Sequence, residues 1–270
     1  SVGYGYKVNV VPTYNIVTVP PANTVPAPVN ATPVWGVDYL ATPGHSLSFG
    51  AAQLTRRLSF TDATAPVYDS VSMTSVGTMQ GSAYDNGGAV TLTYGSGATS
   101  YPYVQLSTPL FTAGASVTIE VWATLGTNSG NANVFQFGAA PNSGSAANSI
   151  ALYRSSSGFI TAAVYDADGS AFTVQTATLF NSLSNAHIVV VFQAGDGTAP
   201  TAMVDNSATT SASQMLVYVN GVLSGSGTST SASLPDGSSG GFVGRSFTSA
   251  SSGLVGVIDE LRVWSGPLAA

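Results

Sequence analysis

Chemistry is best sought first among the carboxylates, because only 7% of the residues are charged and acids outnumber bases twelve to six. Asp259 and Glu260 stand side by side in the run Gly256-Val257-Ile258-Asp259-Glu260-Leu261-Arg262-Val263-Trp264. Retaining glycoside hydrolysis needs two carboxyl groups about 5 Å apart in one cleft. Neighbours on a strand point to opposite faces, so this pair cannot supply them, and no catalytic residue is assigned. Asp259 and Glu260 take structural roles instead, pairing with Arg262 or capping backbone donors, since an acid on a covered strand must be satisfied locally. Asp166 and Asp168 lie two positions apart before Gly169. Oxygens at that spacing can begin a calcium site, which takes about six to eight oxygen ligands, with Asp196, Asp205 and Asp236 as loop acids to complete it. The same Asp-Ala-Asp-Gly run is more simply a hairpin turn. The sequence requires no cofactor, and calcium is the one it allows. His45 and His187 are isolated from any Ser-His-Asp or metal-ligand spacing and are assigned to structure.

Sugar recognition would use aromatic rings with amide, acid or Arg side chains, and Tyr101, Tyr103, Tyr153 and Arg154 are the candidates, although the sequence leaves open which face they occupy. Trp122 and Trp264 fall in strand-like runs and are assigned to core or inter-sheet packing. Trp35 stands in a polar, proline-rich context and is a candidate interface anchor. Asn30-Ala31-Thr32 is an N-glycosylation sequon with a permitted middle residue. Pro33 follows it and restricts the backbone that the acceptor must present.

The elements that would position these residues are short strands. Residues 89–94, 117–123, 133–137, 150–153, 159–165, 171–176, 187–192, 215–219 and 254–264 are rich in β-branched or aromatic residues and bounded by Gly, Ser, Asn and Asp. Asn220-Gly221 and Asp168-Gly169 predict two-residue type I′ hairpins. The prediction is an all-β, two-sheet antiparallel jelly-roll sandwich. In the 256–264 run, period two puts Val257, Asp259, Leu261 and Val263 on one face and Ile258, Glu260, Arg262 and Trp264 on the other. Apolar bulk on both faces predicts a strand covered on both sides.

Residues 1–50 differ from the rest. Val17 and Val19 sit in a short extended segment, and the Pro20 to Pro28 stretch excludes helix and favours polyproline II. The expected organisation is an extended proline-rich arm over 1–50 and one sandwich over 51–270. The arm is either a linker or a segment ordered by docking, with Val17, Val19 and Trp35 at the contact.

Several runs, taken in order, resemble the laminin G-like, concanavalin A-like lectin and glucanase superfamily. Leu58-Ser59-Phe60-Thr61-Asp62 with Tyr68-Asp69-Ser70 resembles its opening strand and turn. Tyr101 to Leu106 resembles an edge strand, and Val117-Thr118-Ile119-Glu120-Val121-Trp122 a signature strand. Leu216 to Val222 resembles its Asn/Asp-Gly hairpin, Gly241-Phe242-Val243-Gly244 the penultimate strand, and Gly256 to Trp264 the closing one. One position departs: Asn185 stands where the family commonly has Trp, two places before His187. The resemblance implies a concanavalin A-like sandwich, calcium at the rim in some members, and glycan or protein recognition.

Composition narrows the function further. Cysteine is absent, so disulfide and zinc–thiolate chemistry are excluded. A net charge of −6 with scattered bases argues against nucleic acid. No apolar run reaches the roughly eighteen residues that span a bilayer. Ser1-Val2-Gly3-Tyr4 does not open a signal peptide, and the chain reads as a mature or excised portion. A polar, weakly charged surface suits an extracellular or cell-surface protein whose hydroxyls and amides meet sugars or a neighbouring chain. The expected function is a non-catalytic structural or adhesive module that assembles through its arm with itself or another extracellular protein. The alternatives are a carbohydrate-binding lectin and a degenerate glycoside hydrolase or accessory domain.

Overall fold

The computed structural model describes residues 52–60, 66–85, 87–93, 101–126, 131–138, 144–195, 212–237, 239–248 and 253–268. The expectations for the 1–50 arm, Val17, Val19, Asn30, Trp35, His45, Asp196 and Asp205 lie outside the described residues. The strands are β1 (Gln53–Leu58), β2 (Val67–Asp69), β3 (Thr74–Gln80), β4 (Tyr84–Asp85), β5 (Val90–Leu92), β6 (Tyr103–Leu106), β7 (Val117–Leu125) and β8 (Ala132–Gly138). They continue as β9 (Ser149–Arg154), β10 (Phe159–Tyr165), β11 (Ala171–Leu179), β12 (Leu183–Gln193), β13 (Ser213–Val219), β14 (Val222–Ser229), β15 (Gly241–Val243) and β16 (Gly256–Ser265).

These strands form two antiparallel sheets. Sheet A runs β14-β13-β12-β7-β16-β5-β4, and β1 joins the same edge of β16 as β5; sheet B runs β11-β10-β9-β8-β15-β6-β3-β2. The core lies between them and is built from inward residues of both, including Ile119, Val121, Phe135, Phe137, Leu152 and Ile258. Phe135 and Phe137 stack at 4.7 Å. Along one side the glycines of β14 let it lie against β11: a Cβ on Gly225 would stand 2.7 Å from the Gln175 carbonyl oxygen, and one on Gly227 2.9 Å from Val174.

Strand β16 is interior, between β7 on one edge and β5 and β1 on the other. Its alternation differs from the expected one. Ile258 faces Ala123 and Glu260 faces Trp122, which leaves Asp259 as the extra residue of a β-bulge. The bulge resets the period, so Ile258, Leu261 and Val263 are all fully buried in the core while Glu260, Arg262 and Trp264 share the outer face. The expected grouping of Asp259 with Leu261 and Val263 on one face, and of Ile258 with Glu260, Arg262 and Trp264 on the other, is therefore corrected.

Other local differences have equally physical causes. The opening strand precedes the Leu58–Asp62 motif rather than starting in it, ending where Phe60 turns to a φ of 49°. Strand β6 pairs with both β15 and β3 and is not an edge. Asn220 and Gly221 both have positive φ, 52° and 80°, as a type I′ turn demands. At the other predicted hairpin only Gly169 does, at 89°, so this is a wider loop closed by Asp166 N–H donating to the Ser170 carbonyl at 3.0 Å. Asn185 sits at a bulge of β12 with φ 46°. Asn tolerates that left-handed conformation and a bulky aromatic does not, which accounts for the departure at this position.

Candidate functional site

The outer face of sheet A carries a ladder of charged and aromatic groups. Arg57 and Arg262 are cross-strand partners on β1 and β16, and both bind Glu260: Arg57 Nε donates to Oε2 at 2.5 Å, Arg57 NH2 to Oε1 at 3.3 Å and Arg262 Nε to Oε2 at 2.7 Å. Burial alone would raise the Glu260 pKa, but the bonds from Arg57 and then Arg262 hold it below the ordinary carboxylate value. The Arg262 guanidinium lies 4.6 Å from the Trp122 ring centroid. Trp122 also stacks on its β12 partner His187 at 4.1 Å, and His187 Nε2 meets Glu120 Oε1 at 3.0 Å. Trp122 is thus engaged by two neighbours. Beside it, residues beyond β16 fold over the sheet, with Thr118 Oγ1 donating to the Gly266 carbonyl and accepting from Leu268 N–H, both at 2.9 Å. Trp122 and Trp264 are half-buried on this outer face rather than packed between the sheets.

The outer face of sheet B is different in kind. Of the residues in its eight strands, the only charged ones are Asp69 and Arg154, 0% and 3% exposed. Strand register places Gln105, Phe242, Gln136, Ala151, Ala163 and Thr173 in one outward row across β6, β15, β8, β9, β10 and β11. Tyr103, Asn133, Tyr153, Thr161 and Gln175 form the adjacent row. The residues after β15 fold back over this face. Phe247 N–H donates to Gln136 Oε1 at 2.9 Å, and Gln136 Nε2 donates to Ser149 Oγ at 2.7 Å, so one buried amide clamps the segment down. Phe242 meets Tyr103 edge-on at 4.9 Å and Phe247 at 5.4 Å, and the Arg245 guanidinium lies 4.5 Å from the Tyr103 centroid and 5.1 Å from that of Phe242. Further along, Tyr153 and Tyr165 share a side-chain hydrogen bond. Burial, then the neighbouring Tyr153, pushes Tyr165 up to about 12. The two rings lie over the small side chains of Ala151 and Ala163, which are buried beneath them, so the exposed surface here is that of the tyrosines.

The sugar-binding candidates are only partly brought together. Tyr103 and Tyr153 share the outer face of sheet B. Arg154, next in sequence, turns the other way and is buried, and Tyr101 packs against Gly253 beyond the end of β6. Tyr165, Gln136, Phe242 and Arg245 complete the surface without having been singled out. For Tyr165 the signal was available, since it ends the expected 159–165 strand two residues beyond Ala163 and so shares its face. For Arg245 none was, because its place depends on a fold-back clamped by a residue 111 positions earlier.

At the rim, Asp166 Oδ1 accepts from Ser170 N–H at 2.9 Å and Asp168 N–H at 3.3 Å, and Asp168 Oδ1 accepts from Ser170 N–H at 2.9 Å. Bonds from Ser170, then Asp166, lower the Asp168 pKa. The carboxylates serve their own turn. Among the described residues no group of three or more His, Cys, Asp or Glu side chains converges as a metal site, and no helix is long and apolar enough to cross a membrane.

No curated protein matches the sequence. Among solved structures, the chain is similar to domain 4 of AbnA, a GH43 extracellular arabinanase of Geobacillus stearothermophilus determined with arabinotriose, at 20% identity and TM-score 0.51 over 81% of this chain and 95% of that one. Weaker likenesses are to the Ruminococcus gnavus IT-sialidase CBM40 bound to α2,6 sialyllactose (12% identity, TM-score 0.44, 62% and 92% covered) and to a chain of botulinum neurotoxin type C (12%, 0.47, 82% and 49%). The laminin G family model described as concanavalin A-like lectin/glucanases superfamily matches residues 97–270, more than half of the chain. With two stacked antiparallel sheets closed by β16, the chain belongs to the concanavalin A-like lectin/glucanase superfamily.

Proposed function

We propose that this protein is a non-catalytic, extracellular carbohydrate-binding module whose ligand lies across the outer face of sheet B. The observation that carries the reading is the contrast between the two outer faces. On sheet A the aromatic platform is already taken, Trp122 being sandwiched by Arg262 and His187. On sheet B the half-buried Tyr153 and Tyr165 cover Ala151 and Ala163, stand among amides and hydroxyls and make no stacked ring contact among the described residues, while Tyr103 already lies under Arg245. Sugars present apolar C–H faces and a ring of hydroxyls, and such a surface matches both, as ligand sites combine apolar walls with a few placed polar groups. The domain of the arabinanase that shares this fold was determined with arabinotriose, which fits the reading. Glu260, the acid most suited to chemistry by position, has both oxygens committed to arginines, which favours recognition over hydrolysis.

The test is retention on a glycan array by the wild type and by Tyr153→Ala. Loss of an aromatic platform should weaken retention by about tenfold or more, since stacking of this kind is worth on the order of 1–3 kcal/mol. Retention of no glycan by the wild type overturns the reading. Assembly through residues 1–50 is a separate proposal resting on their proline-rich, extended composition. Light scattering on residues 1–270 and 51–270 decides it: a mass that depends on protein concentration only in the longer chain supports assembly, and two monomers exclude it.

A further inference from the structure

We infer that the sheet B face recognises acidic sugars, with the Arg245 guanidinium receiving a ligand carboxylate; the inference rests on the carbohydrate-binding reading above. Arg245 is a partly exposed cation over a face whose strand residues contribute no other exposed charge. The ion pairs among the described residues involve Arg56, Arg57, His187 and Arg262, and none involves Arg245. Its Nε is buried without a hydrogen-bond partner. What holds it is two aromatic rings, Tyr103 and Phe242, whose centroids lie 4.5 and 5.1 Å from its guanidinium carbon.

That arrangement does two things. The two ring contacts confine the guanidinium, and it meets no carboxylate among the described residues, so part of the rotamer entropy that a free arginine loses on binding is already lost. The fork of parallel N–H donors then matches a carboxylate in bidentate geometry, the strong form of this hydrogen bond. Gln136 is the positioning residue. Its amide ties the chain at Phe247 down to Ser149, two residues beyond Arg245, so the guanidinium is held by the fold rather than by solvent.

Placement agrees with a ligand that spans the face. The Arg245 guanidinium lies over Tyr103 of β6, three strands from Tyr153 in the order β9-β8-β15-β6, which is roughly 14 Å at the usual strand spacing. A ligand longer than one sugar ring can therefore rest on the Tyr153 and Tyr165 floor and set an acid group at Arg245. The net charge of −6 would repel such a ligand at long range. At physiological salt the screening length is about 8 Å, so a direct contact with the guanidinium outweighs distant acids.

The experiment is binding to an array on which hyaluronan, alginate, oligogalacturonate and sialyllactose fragments are each printed beside their carboxyl-reduced neutral forms. The full chain is compared with Arg245→Gln and Arg245→Lys, each first checked for an unchanged melting curve. The expected result is that at least one acidic member is retained about tenfold or more above its reduced partner. Arg245→Gln should abolish that preference, so that the acidic and reduced forms are retained alike, and Arg245→Lys should keep only part of it, since the point charge lacks the planar fork. Equal retention of both forms, or a preference that survives Arg245→Gln, overturns the acidic-sugar inference and leaves the carbohydrate reading standing. Retention of neither form by the wild type overturns both. Should Arg245→Gln fail to fold, Arg245→Lys alone decides: a preference undiminished by it overturns the inference.

Discussion

Asp69 shows what a single side chain contributes in this protein. It is fully buried, and its carboxylate accepts from the backbone N–H groups of Arg57 at 2.8 Å, Val71 at 3.0 Å and Ser72 at 3.3 Å, and from Ser72 Oγ at 2.7 Å. Burial pulls its pKa up, but the four bonds together bring it below the ordinary value. A carboxyl with a depressed folded pKa contributes stability above about pH 4, and this is lost as the pH falls through the folded value. The expected outcome for Asp69→Asn is a loss of about 2–4 kcal/mol at pH 7, because the amide nitrogen cannot accept and buried N–H donors are left unmatched. Urea unfolding checks this, and the wild-type advantage over Asp69→Asn should shrink below pH 4. Glu260 acts with the same sign but more weakly, since solvent reaches its arginines. Calorimetric titration with calcium should show no binding at Asp166 and Asp168, whose oxygens already serve Ser170. Asp69 was legible as a turn residue from Tyr68-Asp69-Ser70. The partner of Glu260 was half legible: Arg262 lies two residues on, but Arg57 lies 203 residues away and only the sheet brings it near.

At the level of elements, close approach of β14 to β11 depends on absent side chains. Gly225→Val should cost about 1–3 kcal/mol by forcing the two edges apart, read as a lower melting midpoint. Wild-type melting around pH 8 is the control, below the range where tyrosine ionises. Tyr165 provides an independent probe of sheet B. With its pKa raised to about 12 by burial and Tyr153, the neutral phenol is favoured in the fold, so its contribution is full below about pH 10 and is lost as the pH rises toward 12. An alkaline spectrophotometric titration should show Tyr165 ionising late, and Tyr153→Phe should bring it earlier. Strands with strong β-formers were legible nearly to the residue: β10 spans Phe159–Tyr165, as its composition predicts. Strands β3 and β14 were not, since Thr-Ser-Val-Gly-Thr-Met-Gln and Val-Leu-Ser-Gly-Ser-Gly-Thr-Ser lack that bias and are strands because neighbours complete their hydrogen bonds. The β16 bulge was hidden for a similar reason, as alternation is read assuming an even register and one extra residue inverts everything beyond it.

For the whole molecule, the two-sheet architecture was legible because alternation, turn residues and the ordered motifs all agree, and β16 was identified from them as the strand that closes it. The candidate surface was not, because it is assembled from five separate stretches of chain and one fold-back. The architecture makes a further prediction. Removing residues 256–270 should abolish cooperative unfolding rather than lower the melting midpoint by a few degrees, because β7 would lose one partner and β1 and β5 would lose their shared edge together. Differential scanning calorimetry distinguishes a vanished transition from a shifted one.

The interior seat of β16 also bears on how the molecule is made. The strand that joins the two halves of sheet A comes after every other strand of that sheet in the sequence. Until it is made, β7 and β5 lack the backbone partner that β16 gives them. Closure of sheet A therefore waits for β16, and a holding chaperone would suit the earlier strands until that strand is available.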